Sequence, residues 1–142
     1  MTRRTIQSAA LAFLWVCASA LAAPASAPHA AACVAALKAE EAQLAETMKA
    51  GAPVEPQLLN VVRSGIAIIG MQYLAGLREG EARELLKAAE HDFHALSPDE
   101  AQVRQSACLQ EGEALYSKAS LLEQSLITSA AQRRVRRLTA AG

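Results

Sequence analysis

Apolar residues in the last third of the chain recur at helical spacing, and no proline interrupts them between residues 98 and 142. Ala101, Cys108, Leu115 and Leu122 fall every seven residues, with Gln105, Gly112, Ala119 and Leu126 four positions after each. This pattern predicts one long helix over about 98–140 with an apolar seam along one side. Ser97-Pro98-Asp99-Glu100 opens it: a serine cap, proline at the first helical position, acids in the first turn and a glutamate three residues after the serine.

Three earlier segments carry the same periodicity. Residues 29–50 are rich in Ala, Glu, Gln, Lys and Leu, with Val34, Leu37, Leu44 and Met48 on one stripe, and they form a first helix that Gly51 ends. Glu41 interrupts the stripe and reads as a flanking residue with its head in water. Residues 57–77 are apolar nearly all round, which places them in the middle. Gly65, Gly70 and Gly76 then read as points of close helix approach. Residues 81–96 form an amphipathic helix through Ala82, Leu86, Ala89, Phe93 and Leu96, and Gly80 is the expected turn before it. The expected fold is therefore all-α, a small disulfide-stapled helical bundle of four helices. If no turn falls at Gly80, a three-helix long-hairpin form results. A turn makes the first helix antiparallel to the last; without it they run parallel.

The N-terminal pattern differs. Met1-Thr2-Arg3-Arg4 is basic, and the uncharged run 6–22 that follows, centred on Leu11, Phe13, Leu14, Trp15 and Val16, has the order of a secretory signal peptide. Residues 1–22 are read as that signal, cut before Ala23, and residues 23–142 as a single helical domain. The expected location is exported, periplasmic or secreted. Cleavage removes Cys17 and leaves Cys33 and Cys108, which in an oxidising compartment pair as one disulfide.

Charge adds an asymmetry. Residues 23–123 hold 8 basic and 14 acidic residues, whereas residues 124–142 hold four arginines and no acid. Phosphate binding needs an extended basic surface, so nucleic acid is a poor partner for this acidic body. The basic end, Arg133, Arg134, Arg136 and Arg137, complements the negative end of a helix dipole. Beside it Leu122, Leu126, Ile127, Val135 and Leu138 continue an apolar stripe, and these nine residues are the candidate contact surface. It would meet an envelope protein or a second copy of the chain, or lie peripherally on anionic membrane.

Candidate chemistry is sparse. His91 and His94, three apart on a helix, could share a zinc or copper ion; otherwise no cofactor is expected. The sequence contains no Cys-x-x-Cys, no glycine-rich phosphate loop, no Gly-x-Ser-x-Gly and no His-Glu-x-x-His. The expectation is a non-enzymatic protein that acts through protein contact, as an adaptor, chaperone-like factor, pilot or inhibitor. A small-ligand or metal-binding periplasmic protein is the alternative.

Overall fold

A computed structural model describes residues 25–140. The expected signal segment lies outside the described residues. Five helices follow one another: α1 Ala27–Lys49, α2 Glu55–Leu74, α3 Glu79–His94, α4 Pro98–Lys118 and α5 Leu121–Ala140. Among the described residues the class is all-α as expected, but the helix count is five and not four or three. No helix among the described residues is long and apolar enough to cross a membrane.

The extra helix comes from a break in the predicted long one. Ala119 is extended (φ −67°, ψ 151°), and Ser120 caps a new helix. The Ser120 backbone N–H donates to Glu123 Oε2 at 2.7 Å, while Glu123 N–H donates to Ser120 Oγ at 3.3 Å. This repeats the capping box at Ser97, where Ser97 N–H donates to Glu100 Oε2 at 2.9 Å and Glu100 N–H to Ser97 Oγ at 3.4 Å. Ser120-Leu121-Leu122-Glu123 is therefore a helix start written in the sequence, and an unbroken apolar period masks it.

Glycine ends two helices. Gly51 (φ 96°) and Gly76 (φ 94°) each take the left-handed conformation, and each donates its N–H two residues back past the cap, to Met48 O and Tyr73 O. The next residues, Ala52 and Leu77, donate to Thr47 O and Gln72 O, which completes a Schellman ending. The turn between α2 and α3 thus sits at Gly76. Gly80, the predicted turn residue, lies in the first turn of α3.

An antiparallel hairpin of α1 and α2 forms the centre. Gln72 at the end of α2 donates to the carbonyl of Ala25, just before α1, at 3.0 Å. Helix α3 packs on α1, α5 packs mainly on α2, and α4 lies against both central helices. Contacts of His29 with Glu111, Cys33 with Cys108, and the Ala36 carbonyl with Gln105 run in opposite directions along α1 and α4, so this pair is antiparallel. That is the arrangement expected when a turn divides α2 from α3.

Two apolar clusters result. The first joins Cys33, Val34 and Leu37 of α1 to Val61 and Ile68 of α2, Phe93 of α3 and Cys108 of α4, with Leu86, Ala89, Leu96, Ala101 and Leu115 packed around it. The second, at the other end of the hairpin, joins Ala45, Leu58 and Val62 to Ala131 and Val135 of α5, with Leu138 against it. Gly112 sets a close approach of α4 to α2: a Cβ built there would lie 2.5 Å from Ser64 Cβ and 2.8 Å from Ser64 Cα. At Gly65 and Gly70, predicted to serve that purpose, an added Cβ meets nothing within 4 Å.

Glu41 also departs from expectation. Its side chain is buried, and Arg134 holds it from α5 through Nε at 2.9 and 3.0 Å and a terminal nitrogen at 2.6 Å. The forked geometry satisfies both carboxylate oxygens, which is what allows a charge to sit off the solvated face. The same hydrogen bonds hold the Arg134 guanidinium more firmly protonated than usual.

The capping carboxyls give the fold a pH dependence of known sign. Hydrogen bonds from Ser97 hold Glu100 below the ordinary carboxylate range, and those from Ser120 do the same for Glu123. A carboxyl lowered on folding contributes stability that is fully present above its unfolded value and is lost as pH falls through its folded one. Glu40 acts in the opposite sense, because burial raises it and its ionised form opposes folding. An NMR titration is expected to show Glu100 and Glu123 with midpoints below 4.5, the caps of α4 and α5 loosening together with that protonation. Midpoints at or above 4.5 would contradict the cap geometry.

Candidate functional site

Capping at Ser120 resets the helical phase, and this decides which residues of α5 are free. With 3.6 residues per turn, Ile127, Ala131, Arg134, Val135 and Leu138 share one face, while Leu122, Leu126, Ser129, Arg133 and Arg137 share the opposite one. Ala131 and Val135 are buried in the second cluster, Leu138 packs on it, and Arg134 is committed to Glu41. Ile127 is half-buried. Val135, Leu138 and Arg134, taken from the sequence as contact residues, therefore hold α5 to the body.

The outward face is a different surface. Leu121, Leu122 and Leu126 are 85%, 71% and 62% exposed, and Arg133, Arg136 and Arg137 are exposed further along. Tyr116 Oη lies 2.9 Å from Thr128 Oγ1, and Gln124 donates to the Ala119 carbonyl at 2.9 Å, so the bend that presents these leucines is pinned from both sides. Arg63 in turn stacks over the Tyr116 ring at 4.2 Å, which ties the bend back to α2. The result is Leu122 and Leu126 on the outward face at the start of α5, Leu121 exposed on its flank, and a cationic stripe toward the end of the helix.

His91 and His94 are both exposed in the last turn of α3, on either side of buried Phe93. His91 Nδ1 lies 3.5 Å from its neighbour Asp92. Among the described residues, the groups that converge closely enough to hold an ion are instead His29, Cys33 and Glu111. His29 Nε2 stands 2.7 Å from Glu111 Oε2, and Cys33 Sγ stands 3.8 Å from the first and 3.9 Å from the second. The Cys33 and Cys108 sulfurs lie at disulfide distance, 2.04 Å. That pairing is compatible with an oxidising, exported location.

The sequence signal for this cluster was present but divided. His29 and Cys33 are four apart on one helix, Cys108 and Glu111 three apart on another, and each spacing places its two side chains on one face. Only the pairing of the two cysteines brings the faces together.

Compared with protein-family models, with curated proteins and with solved structures, the chain matches none of them.

Proposed function

We propose that the protein is an exported, non-enzymatic helical protein that works by contact, and that its contact face is the outward stripe of α5. The observation that carries this reading is the exposure of Leu122 and Leu126 on one face, with Leu121 exposed on its flank, on a helix whose opposite face is already buried. Apolar side chains clustered on a rigid surface are what a partner helix or groove covers, and charges beside them set orientation and encounter rate. Arg133 and Arg137 continue the stripe, so the matching surface is apolar followed by acidic. An envelope protein segment of that character is the proposed partner.

A photo-crosslinking residue placed at Ser125, which is exposed beside the leucines, tests this in the exporting cell. The expected result is a discrete adduct that disappears in Leu122→Glu/Leu126→Glu. The melting temperature of that variant should stay within a few degrees of the parent, because both side chains are already in water. Absence of any adduct, including one with a second copy, would overturn the proposal.

A further inference from the structure

We infer that Cys33 and Cys108 in their dithiol form, together with His29 and Glu111, make a site for one zinc ion, so that disulfide and metal are alternative states of the same place. Two observations carry this. The first is the ligand set: two sulfurs, an imidazole nitrogen and a carboxylate oxygen, supplied as His29-x3-Cys33 on α1 and Cys108-x2-Glu111 on antiparallel α4. Zinc accepts all three donor types in a four-coordinate site, and paired ligands at helical spacing on facing helices are a common way of building one.

The second is distance. With zinc bonds of about 2.3 Å to sulfur and about 2.1 Å to nitrogen and oxygen, tetrahedral geometry places sulfur roughly 3.6 Å from N or O and the two sulfurs roughly 3.8 Å apart. The observed 3.8 Å from Cys33 Sγ to His29 Nε2 and 3.9 Å to Glu111 Oε2 already fit. The 2.7 Å between His29 Nε2 and Glu111 Oε2 must open slightly as both turn from each other toward an ion, and His29 is exposed and free to move. The remaining change falls on Cys108, which is not one of the three groups that converge here: once its bond to Cys33 is broken, its side chain must turn to bring Sγ to the fourth position. A groove lined by His29, Cys33, Val103 and Cys108 gives entry.

The chemistry balances with a dithiol as reductant. Two electrons and two protons pass from the dithiol, which becomes a disulfide, to Cys33 and Cys108, and the Sγ–Sγ bond is cleaved. Zinc then binds both sulfurs as thiolates and releases their two protons, while neutral His29 and ionised Glu111 complete the shell. The oxidised chain keeps only His29 and Glu111 as donors at this place, and two such ligands hold zinc weakly.

The test uses the mature chain, oxidised and then reduced with a phosphine under inert gas, titrated with zinc against a chromophoric chelator. One zinc per chain is expected in the reduced form, bound at least about a thousandfold more tightly than in the oxidised form. Cobalt(II) in its place should give the absorption of a tetrahedral thiolate site. His29→Ala and Glu111→Ala should each weaken zinc binding by roughly tenfold or more, and Cys33→Ala/Cys108→Ala should abolish the redox difference. Equal affinity in both redox states would overturn the inference, as would full affinity in the reduced His29→Ala/Glu111→Ala chain. If the reduced, metal-free chain loses helix in circular dichroism, zinc must restore it; failure to do so also overturns the site.

Discussion

The Cys33→Ala/Cys108→Ala chain is expected to lose about 4 kcal/mol of folding free energy, because the cross-link joins positions 75 residues apart and removes that loop's entropy from the unfolded chain. For a domain of this size the loss corresponds to roughly 15 °C in melting temperature. The cysteines tie α1 to α4 inside the first cluster, where both are buried. The second cluster of α1, α2 and α5 does not depend on them. Reduced protein should therefore keep helical content while its denaturation midpoint falls. Urea unfolding with and without reductant measures this, and the reduced parent should match the alanine pair. A pair within 1 kcal/mol of the oxidised parent would show that the bond does not close in solution.

Gly112→Ala is expected to destabilise the fold by about 2 kcal/mol, although alanine is the better helix former by about 1 kcal/mol. The added Cβ would lie 2.5 Å from Ser64 Cβ and 2.8 Å from both Ser64 Cα and Ser64 O. Backbone atoms cannot rotate away, so α2 and α4 must part, and the first cluster loosens with them. Gly112→Val should cost more. Gly65→Ala and Gly70→Ala, where the same Cβ meets nothing within 4 Å, are expected to be neutral or to stabilise by up to about 1 kcal/mol. Ser64→Gly in the Gly112→Ala background should restore part of the loss by removing one of the three contacts. A Gly112→Ala chain as stable as its parent would contradict this helix crossing.

Particular residues show how far the sequence could be read. The serine and glutamate at 97 and 100, the glycine at 51 and the apolar stripe of α3 each act within one turn of the chain, and each does in the structure what its local chemistry predicts. The turn at Gly76 and the cap at Ser120 were equally local, but each competed with a stronger signal. Residues 57–77 are so apolar that Gly76 reads as part of the run, and the seven-residue seam from Ala101 to Leu122 passes over Ser120 without a fault. Periodicity therefore extended helix where cap chemistry ended it. An unbroken period gives α5 the wrong phase, and with it the wrong outward-facing residues on the candidate surface.

What lay beyond sequence reading is of another kind. Nothing near Glu41 indicates that Arg134, 93 positions away, will hold it, and nothing near His29 indicates Glu111, 82 positions away. The all-α class, most of the helix limits and the pairing of Cys33 with Cys108 could be read from the sequence alone, because propensity, capping and cysteine arithmetic depend on neighbours or on simple counts. Only the tertiary structure decided that Gly112 and not Gly65 meets another helix, that Val135 is core while Leu126 is surface, and that a histidine and a glutamate flank the cross-link. Those outcomes depend on the rotation and register of packed helices, and a rotation of one residue in 3.6 carries a side chain from the interior to water.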